Sequence, residues 1–459
     1  MITLPADFIH RTCNLLSDEF VLLKDALSAE PPVSIRINKL KSVRLLPYDN
    51  VLWSELGYYL PSRPAFTFDP LFHAGAYYVQ EASSMFLEQA IKSFVNEPAK
   101  VLDLCAAPGG KSTHLISTLP PDSLIVSNEV IRSRSQILSE NITKWGNPHT
   151  IVTNNDPSEI GRLKNFFDVI VADVPCSGEG MFRKDPDSVN EWSVANVNLC
   201  SSRQKRIISD VWSALKEGGF LIYSTCTYNT EENEDNIHYM VETLGAEVLS
   251  LSVDPEWQIG GPLKYNYPVY RFFPHKVRGE GFFLAVLRKR ERDRVVNAQK
   301  SKKEKKNIIL PVPSDIKQWL YKPDSYIVER QGEIITAFPE NHYDDYKYLS
   351  QNLKLLSWGI NLGKLKGNTV IPAHALAMSI VLNKNMFTTI DIEWGEAIKY
   401  LKRETLLLPS LMPNGYILLT YKGQALGFVK NLGNRANNLY PHEWKIRTGY
   451  IPEQISLFY

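Results

Sequence analysis

The sequence predicts an α/β protein: a Rossmann-like, doubly wound parallel sheet at its centre, with an α+β region before it and another after it. Three observations carry this expectation. Short apolar runs alternate with helical-period segments between about residues 96 and 290. The first of these runs, VLDLC at 101–105, breaks at once into Ala106-Ala107-Pro108-Gly109-Gly110 before a helical pattern resumes, which is a buried strand turning tightly into a helix. With 459 residues, 44% of them hydrophobic, the chain can bury several cores, and its length suggests two to four domains.

Composition narrows the function classes. Fifty-one basic residues against fifty acidic ones leave no net charge from which a nucleic-acid partner can be read, so any basic signal must be local. Five cysteines, without CxxC pairs or nearby His ligands, argue against a structural zinc or other metal site and fit a reducing compartment. No apolar run reaches eighteen residues, and the first ten residues lack a basic segment leading into an apolar core. A signal peptide or membrane span is therefore not expected, and the expected location is the cytoplasm.

Taken in order, residues 1–95 form the leading region. Phe8, Leu15, Leu16, Phe20, Leu23 and Leu27 recur at helical spacing, so one helix is expected there, ended by Pro31-Pro32. Residues 33–38 alternate like a half-buried strand, in which Arg36 either touches a phosphate or is merely solvated. Residues 77–91 read as an amphipathic helix leading into the first strand of the sheet.

The turn Cys105–Lys111 is the expected ligand cradle, because ligands of open α/β sheets bind beyond the carboxyl ends of the strands, where glycines allow close approach. Gly110-Lys111-Ser112 imitates a P-loop, but that motif needs a glycine where Cys105 stands; the dinucleotide fingerprint fails on glycine spacing. A different adenosine-bearing ligand remains. The second strand, 124–127, delivers Glu129, placed to accept hydrogen bonds from ribose hydroxyls unless it is a plain surface acid. The third, 149–153, ends in Asn154-Asn155-Asp156, a polar group for an adenine edge or simply a turn.

The fourth strand, 168–173, runs into DVPCSGEG, which sets Asp173 three residues before Cys176. A helix over 196–216 is expected to bury Leu199, Ile207, Ile208, Val211 and Leu215 and to stop at Gly218-Gly219. The fifth strand, 220–224, delivers Thr225-Cys226-Thr227, and Asn229 with Glu232 forms a capping pattern for the next helix. Residues 281–289 form a strand expected to close the sheet. With the first, fourth and fifth strands adjacent at about 4.8 Å spacing, the cradle, Asp173, Cys176 and Cys226 converge within roughly 10 Å. Two thiols beside a nucleotide-like ligand can be reactive groups, a regulatory disulfide or buried packing cysteines.

Residues 288–306 hold ten Lys or Arg and three Asp or Glu, a solvated linker or an electrostatic tether for a polyanion. Beyond it, a helix over 373–381 and a hairpin of 416–421 with 425–430 around Lys422-Gly423 are expected in a β-rich module. Arg435, Lys445 and Arg447 accompany Tyr440 and Trp444 there, a weak signal for nucleic acid.

Together, VLDLCAAPGGKST, DVPCSGEG, YSTCTYNTEENE and RFFPHKVRGEGFFLAVLRK closely resemble the motifs of the Nol/Nop/Sun RNA cytosine-5 methyltransferases, over about residues 77–289. The layout, with further domains after the core, resembles the bacterial small-subunit rRNA methyltransferase F group. The resemblance implies a class I methyltransferase core and a C-terminal PUA-like RNA-binding region. The implied division is an RNA-binding region at 1–95, the core at 96–290, a basic linker at 291–308, a small domain at 309–385 and a PUA-like domain at 386–459.

It implies S-adenosyl-L-methionine as cofactor, held by Cys105, Ala106, Ala107, Pro108, Gly109, Gly110 and Lys111 and by Glu129, Asp156 and Asp173. It further implies Cys226 as nucleophile and Cys176 as the group assisting product release. Asp173 and Lys111 are expected to orient and stabilise the target ring. The expected partner is RNA, rRNA before tRNA, and nothing in the chain demands more than a monomer. A non-catalytic RNA-binding assembly factor and a DNA cytosine-5 methyltransferase are the competing readings; the latter takes its nucleophile from the Pro-Cys motif.

Overall fold

The computed structural model describes residues 3–41, 46–185, 187–290 and 311–449. The expected basic linker at 291–308 lies outside the described residues.

The leading helix is two helices, Ala6–Leu16 and Glu19–Leu27, because Ser17 takes φ +51° and turns the chain between them. Phe8, Leu16, Phe20, Leu23 and Leu27 are buried as the spacing requires, against Phe182, Trp192 and Tyr228 of the core. Phe8 meets the edges of Phe182 and Trp192 at centroid distances of 5.0 and 5.7 Å.

A three-stranded antiparallel sheet follows, with β1 (Val33–Ile37) between β2 (Gly57–Leu60) and β3 (Tyr77–Val79). β1 is buried along nearly its whole length rather than on alternate residues. Arg36 does not face solvent but is buried, and its donors are engaged within the protein: its guanidinium donates to Gln80 Oε1 (2.8 Å), Thr113 Oγ1 (2.7 Å) and Ser117 Oγ (3.2 Å) and lies 4.7 Å from the Trp145 ring centroid. Burial pulls its pKa down to about 9. The helix expected over 77–91 is corrected as well. Tyr77–Val79 pairs with β1, and regular helix covers only Leu87–Phe94.

The central sheet has nine strands: β4 (Lys100–Asp103), β5 (Leu124–Asn128), β6 (Thr150–Thr153), β7 (Phe167–Asp173), β8 (Leu215–Thr225), β9 (Ala246–Leu249), β10 (Tyr270–Phe272), β11 (Phe282–Lys289) and, from far along the chain, β14 (Leu355–Trp358). The order β10-β11-β8-β7-β4-β5-β6-β14 puts β8, β7, β4, β5 and β6 parallel in the middle. Alternate residues feed two cores. Val101, Ile125, Val169 and Ile222 face one, and Leu102, Val126, Ile170 and Leu221 the other.

Three expectations need adjusting. The helix 196–216 is Val194–Val211; its buried stripe runs Val197, Cys200, Gln204, Ile207, Ile208 and Val211. Leu199 falls off that stripe and is 56% exposed, while Leu215 already belongs to β8. β11 does not close the sheet, because β10 and β9 pair on its far side. β14, from the segment after the linker, adds antiparallel to β6.

The rest of the C-terminal part holds two four-stranded sheets. One comprises β12 (Tyr326–Gln331), β13 (Ile334–Pro339), β15 (Ile360–Lys366) and β16 (Thr369–Pro372). The other comprises β17 (Thr388–Asp391), β18 (Gly415–Tyr421), β19 (Gln424–Asn431) and β20 (Ala436–Asn438). β18 and β19 form the expected hairpin, and the helix expected over 373–381 is His374–Met378. No helix among the described residues is long and apolar enough to cross a membrane.

Candidate active site

β4 hands the chain to the cradle at Asp103. The turn is then stitched in place from both sides: Ala106 N–H donates to the Asn128 carbonyl (2.8 Å), Arg134 Nη2 to the Ala107 carbonyl (2.9 Å) and Asn141 Nδ2 to the Pro108 carbonyl (2.8 Å). Gly109 sits at φ +118°, where a side chain is strained, and starts the helix Gly110–Thr118. Arg36 grips the same helix start through Thr113. The result is a cleft of about 160 Å³ lined by Cys105, Ala106, Ala107, Pro108, Gly110, Lys111 and Asp173, roofed by Tyr78, Gln80 and Glu81 of the leading region.

Charges converge where β4, β7 and β8 end. Lys111 Nζ donates to Asp173 Oδ2 at 2.7 Å, and Ser224 Oγ donates to Asp173 Oδ1 at 2.7 Å. Burial pulls the Lys111 pKa down, but the Asp173 carboxylate beside it prevails and raises it overall. Asp103, which the sequence reading passed over, is fully buried. It accepts Ser112 Oγ at 2.6 Å, and its Oδ1 has no hydrogen-bond partner among the described residues. Burial lifts its pKa to about 7, against the pull of Ser112 and Lys111.

Glu129 is buried at the end of β5. Its Oε1 accepts the Ile131 N–H (2.8 Å), and its Oε2 lies 3.5 Å from Arg134 Nη1. Through Arg134 it is tied to the cradle carbonyl of Ala107. Asp156 caps the short helix Pro157–Ile160, its Oδ1 accepting both the N–H and the hydroxyl of Ser158, which lower its pKa.

The two turns after β7 and β8 bring their cysteines together. Cys176 Sγ and Cys226 Sγ are 2.7 Å apart, both as free thiols, and the Cys226 N–H points at Cys176 Sγ (3.3 Å). The neighbouring Cys226 sulfur, with burial, pushes the Cys176 pKa well above that of an ordinary thiol. Cys105 is also pushed up by burial. Asn229 and Glu232 do exchange hydrogen bonds, but they close a turn. The helix opens only at Glu234, whose carboxylate pairs with the buried Arg271, so the helix end expected near Cys226 begins later in the chain.

Two further buried acids were missed as site residues: Glu179 and Glu232, 2% and 0% exposed, each bonded to the turn opposite its own. Both stand in the motif strings already quoted, but a carboxylate's partner fifty residues away leaves no local pattern to read.

Comparisons with known proteins complete the picture. Residues 92–288 match the family described as 16S rRNA methyltransferase RsmB/F, residues 4–82 the N-terminal domain of 16S rRNA methyltransferase RsmF, and residues 387–446 the methyltransferase RsmF PUA domain. The ribosomal RNA small subunit methyltransferase F of Shewanella loihica is 29% identical over 96% of each chain. That of Vibrio parahaemolyticus is 30% identical over 81% of this chain and 79% of its own.

Among solved structures, a methyltransferase homolog protein from Pyrococcus horikoshii superposes with a TM-score of 0.53 at 27% identity, covering 61% of this chain and 93% of its own. NSun6 from Pyrococcus horikoshii, solved with SFG, shares the fold with a TM-score of 0.54 at 21% identity, covering 63% of this chain and 99% of its own. With its N-terminal, catalytic and PUA parts matched in chain order and relatives aligned over 79% and 96% of their length, the chain belongs to the ribosomal RNA small subunit methyltransferase F family.

Proposed function

We propose that this methyltransferase modifies carbon 5 of a cytosine in small-subunit rRNA, using S-adenosyl-L-methionine and a covalent adduct through Cys226. The observation that carries the reading is the meeting of two free thiols with the Lys111–Asp173 pair beside the cradle, at the ends of three adjacent parallel strands.

The cradle suits that cofactor. The start of the helix Gly110–Thr118 offers first-turn N–H groups, which have no intrahelical partners, to a carboxylate. The orphaned Oδ1 of Asp103 and the carboxylates of Asp173 and Glu129 suit an ammonium group and ribose hydroxyls. Cys105–Lys111, Glu129, Asp156 and Asp173 are the residues proposed to hold it. When bound, the cofactor supplies an electrophilic methyl group on a sulfonium.

Carbon 5 of cytosine is too weak a nucleophile to accept that methyl until the ring is activated at carbon 6. The Cys226 thiolate adds there, and the negative charge that develops spreads to nitrogen 3 and the carbonyl oxygen. Lys111, donating to Asp173 across 2.7 Å, orients the ring together with that carboxylate, and its ammonium offsets the charge. After carbon 5 is methylated its proton must leave; Cys176 in its thiolate form, or a water it positions that hands the proton on to solvent, takes it, the ring double bond reforms and Cys226 departs as thiolate. Because carbon 5 and carbon 6 are inaccessible to this attack in a stacked duplex, the cytosine must be single-stranded or flipped out. The leading region, 1–95, and the PUA domain supply the RNA surfaces in this reading, and the protein works in the cytoplasm.

The test is incubation with methyl-labelled cofactor and, separately, small ribosomal subunits, tRNA and DNA, followed by nucleoside mass spectrometry. Label in 5-methylcytidine from the ribosomal RNA is expected. Label at another base position, or only in tRNA or DNA, would overturn the reading.

A further inference from the structure

We propose that Glu179 and Glu232 are positioning residues, two buried carboxylates that hold the sulfurs of Cys176 and Cys226 at one fixed separation by gripping each other's turns. The assignment of chemical roles to those sulfurs rests on the function proposed above; the brace itself does not.

The connections are crossed. Glu179 follows Cys176, yet its Oε2 accepts Thr227 Oγ1 (2.7 Å) and the N–H groups of Tyr228 (2.8 Å) and Asn229 (2.9 Å), the residues just after Cys226. Glu232 follows Cys226, yet its Oε2 accepts the N–H of Ser177 (3.0 Å), the residue just after Cys176. Ser177 Oγ meets Thr227 Oγ1 at 3.1 Å, and the Gly180 N–H donates to the Cys226 carbonyl at 2.9 Å. Neither turn can slide without breaking bonds on the other.

Each brace is anchored behind. Trp192 Nε1 donates to Glu179 Oε1 (3.0 Å), while Gln204 Nε2 and Asn229 Nδ2 donate to Glu232 (both 2.8 Å). Among the described residues, neither carboxylate has a cation at ion-pair distance, whereas the buried Glu234 and Glu280 are paired with Arg271 and Arg183. Burying a charge without a counter-ion is costly unless hydrogen bonds replace its hydration. Only a carboxylate presents two oxygens that both accept and donate nothing, so glutamine cannot reproduce either set of bonds.

The role follows from the chemistry. One thiol must reach carbon 6 of a ring while the other serves carbon 5, the adjacent atom, so their relative placement decides turnover.

The test needs neither RNA nor cofactor. The full-length protein is equilibrated with mixed oxidised and reduced glutathione: two thiols give up two protons and two electrons, and one glutathione disulfide becomes two thiols. Alkylation and peptide mass spectrometry then give the fraction joined as Cys176–Cys226, hence the effective concentration of one thiol at the other. Wild type is expected to form this bond readily, and Glu179→Gln and Glu232→Gln to lower the effective concentration at least tenfold while keeping the wild-type circular dichroism. In turnover, their kcat is expected to fall more than tenfold with KM within twofold.

Folded variants with wild-type effective concentration would overturn the proposal. Should either variant fail to fold, Thr227→Val, which removes the hydroxyl's bonds to Glu179, Ser177 and Asn229, is expected to lower it two- to fivefold; no change there would overturn it equally. Because thiol pairing is read without substrate, the brace can fail while methyl transfer stands, and stand while methyl transfer fails.

Discussion

Cys176 and Cys226, fifty residues apart in the chain, bring their sulfurs to 2.7 Å at the mouth of adjacent parallel strands, with the Lys111–Asp173 pair held to the same sheet end through Ser224. The contact is built by topology. β7 and β8 are neighbours, Asp173 pairs in register with Ser224, and each strand releases its cysteine within a few residues of that register.

The Lys111–Asp173 pair is expected to act in turnover rather than in folding. Lys111→Met and Asp173→Asn should each lower kcat by about 10²–10³, the range seen when one preorganised group is removed from a charge-stabilising site. Single-turnover methyl transfer measures it. A folded variant within threefold of wild type would remove that residue from the mechanism.

Burial holds the Asp103 carboxyl at about 7, well above the ~3.9 of free aspartate. Between those values the unfolded chain releases a proton that the folded protein keeps. The contribution to stability is therefore full below about pH 4 and is lost as pH rises to about 7. Asp103→Asn cannot ionise, so its unfolding free energy relative to wild type should move in its favour by up to about 4 kcal/mol over that interval. Urea unfolding at pH 4, 5.5 and 7 checks this, and a difference independent of pH would contradict it.

Gly180 lies against Gly281 so closely that a Cβ on Gly180 would fall 2.5 Å from the Gly281 carbonyl oxygen and 2.8 Å from its Cα. Gly180→Ala must push the Cys226 turn, to whose carbonyl Gly180 donates, away from β11. A loss of about 1–3 kcal/mol is expected, with a fall in activity. Gly261→Ala, where nothing lies within 4 Å, is the control and should change stability by less than about 0.5 kcal/mol. Equal melting temperatures for the two variants would refute the close approach.

Arg36→Met keeps the aliphatic stem and removes the guanidinium that joins β1 to the helix after the cradle. Four acceptors, on Gln80, Thr113 and Ser117 and, at 3.4 Å, the Gly110 carbonyl, lose a charged donor, at about 1.5–3 kcal/mol for each close bond before the relief of not burying a cation. A net loss of about 2–4 kcal/mol is expected by denaturant unfolding. A change below 0.5 kcal/mol would show that the leading sheet does not depend on this link.

What the sequence disclosed was what short stretches encode. The strand-to-helix turn at Cys105–Lys111 follows from where an apolar run ends, and the adjacency of the first, fourth and fifth parallel strands from the doubly wound topology; β4, β7 and β8 do lie side by side, with the Cys176 and Cys226 turns meeting at their ends. Residues whose partners are remote stayed hidden. Arg36 looked like a phosphate contact or a solvated strand residue because its acceptors, Gln80, Thr113 and Ser117, lie 44, 77 and 81 residues further along the chain, and Glu232 looked like a helix cap because Asn229 stands at the right spacing. Leu199 sits one place off the buried stripe of its helix, a rotation that counting apolar residues does not resolve. β14, four residues with no distinctive alternation, is a strand only because β6 offers it an edge.

The adduct itself is the most direct measurement. RNA carrying fluorine in place of the carbon 5 hydrogen cannot lose that atom as a proton, so a methylated covalent intermediate accumulates, and protease digestion with mass spectrometry identifies the residue that bears the nucleotide. Wild type and Cys176→Ala are expected to carry it on Cys226, Cys176→Ala also trapping unmodified RNA, and Cys226→Ser to carry none. Attachment at Cys176, or methyl transfer by folded Cys226→Ser, would contradict the proposed chemistry.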